Sequence, residues 1–145
     1  MKKTYPNTRL RRLRATKSIR KLVKETTLSS HDLIQPIFLV EGKSKKEKIK
    51  TMPGIFRYSI DNALKEIKYL EKYGIGAVAL FPQIDKKFKD NEASESFNPD
   101  GLIQRAIREI KNKFPSITVV SDVALDPYTS HGQDGILSKN KKVLN

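Results

Sequence analysis

Three short apolar runs, separated by two amphipathic segments, constrain the fold of this chain more than any other feature. The runs are LIQPIFLVE (33–41), IGAVALFP (75–82) and ITVVSDVAL (117–125). Between them, apolar residues recur with a period near 3.6, which predicts one helix from the cap Ser59 to the stop Gly74 and another from 98–100 to Pro115. Alternating strands and helices indicate an α/β fold with a parallel sheet and right-handed crossovers.

Two details qualify the first part of this pattern. Pro36 lies in the first predicted strand, and proline argues against a central position in a sheet. The lysine-rich segment KSKKEKIK (43–50) is predicted to be a solvated loop, and MPG (52–54) supplies a turn.

Three parallel strands with two helices would expose long apolar edges on both sides, so this piece is rarely a finished domain. In an eight-stranded β/α barrel of the TIM type, these would be the first three strands, and the other five would lie beyond Asn145. We therefore expect residues 31–145 to form the incomplete N-terminal portion of such a barrel.

Charge and composition narrow the class of protein. The net charge is +13, and residues 1–50 hold 15 of the 29 Lys and Arg but only 4 of the 16 Asp and Glu. A basic head can meet phosphates, yet no nucleic-acid-binding motif follows it, so we expect no nucleic-acid partner. No apolar stretch suits a membrane span or signal peptide, and the absence of cysteine excludes disulfides and thiolate metal sites. These features favour a soluble cytoplasmic protein.

Residues 1–30 have the character of an extended basic arm. Ile19, Leu22 and Val23 have the spacing of a short amphipathic helix, whereas Leu10 and Leu13 are expected to dock on another surface or to remain mobile. A solvated tail is an equally good interpretation of this composition.

The stretch DVALDPYTSHGQDG (122–135) places three aspartates and a histidine after the third predicted strand. Ligands usually meet the carboxyl ends of parallel strands, so Asp122, Asp126 and Asp134 are candidate site residues. If two of these carboxylates converge, they would suit Mg²⁺ rather than zinc. The alternative is that all three are turn formers.

A second acidic segment, FKDNEASESFNPDG (88–101), is expected at the same end of the sheet, either as a solvated loop or as a helix cap through Asn98 or Asp100.

Three segments together resemble the delta-aminolevulinic acid dehydratase (porphobilinogen synthase) family. They are MPGIFRYSID, AVALFPQIDKKFKDNEASESFNPDGLIQRAIREIK and, above all, SDVALDPYTSHGQDG. The resemblance runs from about Arg9 to the end of the chain. It implies a β/α barrel whose N-terminal arm makes subunit contacts in a homo-oligomer, often of eight chains. It also implies condensation of two 5-aminolevulinate molecules to porphobilinogen through lysine Schiff bases, in tetrapyrrole and haem biosynthesis.

The resemblance also assigns roles to the acidic loop. Zinc-dependent members use three cysteines where this chain has Ala124, Asp126 and Asp134, so the cysteine zinc site is absent and Mg²⁺ is the expected cofactor. Asp122 matches the family's active-site aspartate and is the candidate for proton handling near a substrate amine. Ser130 and His131 are expected to shape the loop.

The family's two Schiff-base lysines and its substrate-carboxylate ligands come from later strands, and no lysine here matches them. Lys139, Lys141 and Lys142 are expected in an exposed turn. The isolated chain is therefore expected to be inactive. The alternative function is that of a non-catalytic assembly partner for a full-length or complementary chain.

Overall fold

A five-stranded sheet with two helices against one face forms the body of the molecule. The computed structural model describes Pro6 and residues 11–144. The sheet consists of β1 (Ile34–Val40), β2 (Lys46–Lys48), β3 (Phe56–Tyr58), β4 (Ala77–Gln83) and β5 (Thr118–Ser121). Its order is β2-β3-β1-β4-β5, and only β2 runs antiparallel to its neighbour. The helices are α1 (Lys17–Leu22), α2 (Ile60–Glu71) and α3 (Leu102–Lys113), and a small hairpin of β6 (Ile136–Leu137) and β7 (Val143–Leu144) ends the described chain. The predicted α/β class with a parallel sheet is confirmed.

The core lies between the sheet and the apolar faces of α2 and α3. Because side chains alternate along a strand, every second residue of β1 and β4 points toward the helices. The buried residues of this layer are Ile37, Leu39, Val78 and Leu80 from the sheet, Ala63, Leu64, Ile67 and Leu70 from α2, and Leu102, Ile103, Ala106 and Ile110 from α3. The helical positions are those that the 3.6-residue period predicts, so the sequence pattern identifies the buried faces correctly.

Pro36 lies in β1, which is the central strand of the sheet. Its presence there is explained by the register of the neighbours. β3 pairs with β1 only at Phe38 and Leu39, so at the level of Pro36 the strand has β4 on one side and no β3 residue on the other. On the β3 side, the ladder thus has no pairing at Pro36 that the missing N–H of proline could break.

The lysine-rich segment departs from its prediction as a loop, because Lys46–Lys48 form the edge strand β2. β2 pairs with β3, and the Lys46 ammonium lies 4.4 Å from the centre of the Phe56 ring, a cation–π distance. All three residues of β2 are charged and exposed, so the sequence has no alternation of apolar and polar residues there that would predict a strand.

Two predicted element ends also shift. β5 stops at Ser121 rather than Leu125, because the Asp122 carboxylate accepts a hydrogen bond from Ala124 N (2.9 Å) and turns the chain. The N-cap of α3 is Gly101, and Asn98 Oδ1 instead accepts a bond from Asp100 N (3.0 Å). Neither proposed residue caps α3.

The N-terminal segment is only partly described. α1 begins after Thr16, whose hydroxyl accepts a bond from Ile19 N (3.1 Å), and it buries no residue. Leu13 and Leu22 are 61% and 82% exposed, whereas Leu10 lies outside the described residues. In the parts of the chain that can be described, no helix has both the length and the apolar character needed to cross a bilayer.

Candidate functional site

A charged cavity of about 350 Å³ opens at the carboxyl ends of β1, β4 and β5. Phe38 of β1 and Phe81 of β4 are partners in register and line it with rings whose centroids lie 5.7 Å apart. Both point away from the helices, because they alternate with the core residues of their strands. The cavity therefore lies against the face of the sheet that α2 and α3 do not cover.

Four charged side chains line this cavity. Arg57 and Lys89 are half-buried, and Asp122 and Asp126 are exposed. Within residues 11–144, no salt bridge involves any of the four. The cavity thus presents two cations and two carboxylates to a bound molecule.

Asp122 lies directly after β5, beside a buried tyrosine. Tyr128 is 7% exposed, and its pKa is raised above the usual value of 10.0, chiefly by burial and then by the negative charges of Glu95 and Asp122. Tyr128 therefore keeps its proton at neutral pH and places a neutral phenol near Asp122.

Asp126 and Asp134 are brought together, but in different roles. Asp134 Oδ1 accepts hydrogen bonds from Leu125 N (2.6 Å) and Asp126 N (3.1 Å). Asp126 lines the cavity, whereas Asp134 lies outside the cavity lining. Of the two predicted metal ligands, Asp134 thus uses its carboxylate to accept a hydrogen bond from the backbone N–H of Asp126.

The donor chemistry of this pair suits a hard cation, since both residues offer carboxylate oxygens. In the chain from residue 11 to residue 144, no three His, Cys, Asp or Glu side chains group closely enough to hold a metal ion. Mg²⁺ commonly binds through one or two carboxylates and keeps several waters.

The rest of the acidic loop is fixed by its own contacts. Thr129 is 1% exposed, and its hydroxyl donates to Gln133 O (2.8 Å). Ser130 N donates to Asp90 O (2.8 Å), which joins this loop to the loop after β4. Both ring nitrogens of His131 are buried without a partner in the described chain.

The second acidic segment lies at the same end of the sheet, as its position after β4 predicts. Asn91 forms two hydrogen bonds with the backbone of Leu137, accepting from its N (2.9 Å) and donating to its O (3.3 Å). Asp90 Oδ1 accepts from Glu92 N (2.9 Å) and Ser94 N (3.0 Å). These contacts connect the loop after β4 to the β6–β7 hairpin.

Sequence reasoning missed both cations of the cavity. Arg57 lies in β3, beside Phe38 of β1, and this becomes visible only once β3 is recognised as a strand. Lys89 lies next to Asp90 in a segment interpreted by its acidity alone. In contrast, Lys139, Lys141 and Lys142 lie in an exposed turn between β6 and β7, as predicted.

The parallel sheet and its flanking helices define a β/α protein, and the charged cavity lies at the ends of the strands, where ligands of such proteins usually bind. Comparison with known families is more specific. The sequence model of the family described as delta-aminolevulinic acid dehydratase matches residues 7–145. The chain belongs to the delta-aminolevulinic acid dehydratase family.

Individual relatives agree with this assignment. Delta-aminolevulinic acid dehydratase of Chlamydia pneumoniae is 51% identical over 94% of this chain and 41% of its own length. The enzyme of the same name from Methanothermus sociabilis is 48% identical over 97% of this chain and 43% of its own. The crystal structure of delta-aminolevulinic acid dehydratase (porphobilinogen synthase) from Toxoplasma gondii ME49, in complex with the reaction product porphobilinogen, superposes with a TM-score of 0.89 at 41% identity. That match covers 95% of this chain and 39% of the other. The chain therefore spans about two fifths of the length of each of these three relatives.

Proposed function

We propose that this chain supplies part of the active site of a porphobilinogen synthase, a hydro-lyase that condenses two 5-aminolevulinate molecules in tetrapyrrole and haem biosynthesis. One observation carries the proposal: the aspartate that matches the family's active-site residue, Asp122, lines a charged cavity at the carboxyl ends of the strands. Family membership gives this geometry its chemical meaning.

The cavity has the charges that this substrate requires. 5-Aminolevulinate carries an ammonium at one end and a carboxylate at the other. Asp122 would accept a proton from the substrate amine, and a carboxylate held near its target can exchange that proton during turnover. Arg57 and Lys89 add positive charge to the same cavity, beside the substrate-carboxylate ligands that the resemblance assigns to later strands.

Mg²⁺ is the proposed metal, with Asp126 and Asp134 as its protein ligands. Asp126 would contribute its carboxylate and Asp134 the oxygen that accepts no backbone hydrogen bond. When bound, the ion would supply positive charge beside the substrate site.

The proposal concerns a part of a larger assembly. Residues 31–145 would form the first strands of a barrel, and residues 1–30 would act as an arm that makes contacts between identical cytoplasmic subunits, often eight in this family. The Schiff-base lysines that the family uses would come from outside the two fifths of the relatives' length that this chain matches. The chain by itself would therefore not convert 5-aminolevulinate to porphobilinogen.

The test is reconstitution of activity. We expect no porphobilinogen from 5-aminolevulinate with the purified chain, and formation of porphobilinogen once it is mixed with the remaining three fifths or so of the Chlamydia pneumoniae relative. In that mixture Asp122→Asn should lower turnover at least about a hundredfold, since loss of a general acid or base typically costs this much. Asp85→Asn is the matched control, because Asp85 is exposed and outside the cavity lining. Turnover by the chain alone would contradict the proposal, as would an inactive mixture or an unimpaired Asp122→Asn variant.

A second candidate is a non-catalytic assembly partner, favoured by the outer edge of β5. β5 pairs with β4, and no other described strand pairs with it. Co-purification with a longer chain, with its activity unchanged by Asp122→Asn in this chain, would favour this second function over catalysis.

A further inference from the structure

We propose that Asp134 is a positioning residue that holds Asp126 in its place at the cavity. It does so because its side-chain oxygen accepts hydrogen bonds, and the negative charge of the carboxylate is not needed for this. The inference deepens the proposed function, and its ligand readout rests on that function. It concerns what Asp134 does whether or not a cation is bound.

The geometry is that of a clamp on two consecutive peptide groups. One oxygen of Asp134 accepts from both Leu125 N (2.6 Å) and Asp126 N (3.1 Å). On its other side Asp126 is followed by Pro127, whose ring restricts the backbone of the preceding residue to extended conformations. The backbone of Asp126 is thus restricted from both sides, at a place where this residue lines the cavity.

The neighbouring residues 128–130 are held by contacts that do not involve Asp134. Tyr128 is buried, the Thr129 hydroxyl donates to Gln133 O, and Ser130 N donates to Asp90 O. These contacts anchor the middle of the loop to the body of the molecule. The carbonyl groups of residues 125 and 126 also accept hydrogen bonds from residues 128 and 129. Asp134 adds the bonds to the N–H groups of residues 125 and 126.

An acceptor and a charge can be separated at this position. Both donors are neutral backbone N–H groups, and the side-chain oxygen of asparagine accepts from such groups with the same geometry. Asparagine would therefore keep the clamp, although bonds to a carboxylate are stronger than bonds to an amide. Alanine would remove it.

The experiment compares Asp134→Ala, Asp134→Asn and the control Asp90→Ala by backbone amide hydrogen exchange, in metal-free buffer and with Mg²⁺ alone. Asp90 is matched to Asp134, because one of its oxygens also accepts from two backbone N–H groups, Glu92 and Ser94. We expect Asp134→Ala to accelerate exchange at Leu125 and Asp126 about tenfold, as loss of a typical hydrogen bond allows, and Asp134→Asn by less than about threefold. Asp90→Ala should leave exchange at these two amides unchanged.

A second readout tests positioning rather than loop stability. Millimolar 5-aminolevulinate should shift the NMR resonance of the Asp126 amide in the native chain and in Asp134→Asn, and not in Asp134→Ala. The midpoint temperature of thermal unfolding should change to a similar extent in Asp134→Ala and Asp90→Ala. The inference is overturned if Asp134→Asn behaves like Asp134→Ala, or if Asp134→Ala leaves exchange unchanged. If the native chain shows no response to 5-aminolevulinate, the proposed function fails, and amide exchange still decides whether the clamp exists.

Discussion

At the scale of residues, the three aspartates of the acidic loop show how one side-chain type takes three places. Asp122 turns the chain after β5 and lines the cavity, and Asp126 lines the cavity from the loop. Asp134 accepts hydrogen bonds from the backbone N–H groups of Leu125 and Asp126. The hydrogen bonds of Asp122 and Asp134 are those expected of turn formers, whereas the site interpretation of the loop stays a prediction. Which aspartate does which depends on the folded loop.

A pH dependence follows from Tyr128. Its pKa is raised in the folded state, so above pH 10 the unfolded chain releases this proton while the folded chain still holds it. Stability from this group is complete below about pH 10 and is lost as the pH rises from there through the folded-state pKa. Between pH 9 and about 11, we expect the free energy of unfolding to fall less steeply in Tyr128→Phe than in the native chain, measured by urea denaturation at several pH values.

Exposed Tyr69 provides a comparison of a different kind. Its hydroxyl lies 2.8 Å from that of Tyr73 and raises the pKa of Tyr73, so Tyr69→Phe changes the contribution of Tyr73 to the pH profile. Tyr69→Phe should leave the contribution of Tyr128 in place. Parallel pH profiles for the native chain and Tyr128→Phe would show that burial of this phenol has no effect on stability.

At the scale of elements, α3 offers the clearest test of the core. Ile110 is fully buried against the sheet, and truncation of such a side chain leaves a cavity that surrounding atoms fill only in part. Ile110→Ala should lower the free energy of unfolding by about 2–5 kcal/mol, measured by urea denaturation. Glu109→Ala, one residue away on the exposed face, should change it by less than about 0.5 kcal/mol. Equal effects would mean that α3 does not pack as described.

The sequence predicted α2, α3, β1 and β4 because each is long enough to show its period and buries one face. It did not predict β2 and β3, which are three residues each and have no buried residue. Such strands form through pairing with a neighbour, and pairing leaves no trace in local composition. The same limit hid Arg57, since its place in the cavity depends on the register of β3 against β1.

At the scale of the whole molecule, β5 exposes an edge. Val120 is 41% exposed, and unpaired strand edges promote association between chains. We expect the 145-residue chain to self-associate as its concentration rises, and Val120→Lys to reduce this, as seen by sedimentation velocity. The control Leu22→Lys removes an exposed apolar residue from α1, far from the edge in sequence, and should not. If both variants associate as the native chain does, the edge of β5 is not the contact.

The two hydrogen bonds between Asn91 and Leu137 also bear on the order of folding. They require Leu137, whereas the five strands of the sheet and the helices α2 and α3 all end by Ser121. A chain is synthesised from its N-terminus, so the segments made first can fold before those made later. The sheet and its helices are thus expected to assemble first and the rim of the cavity last. During synthesis, the chain would acquire its shape before it acquires the place where a substrate binds.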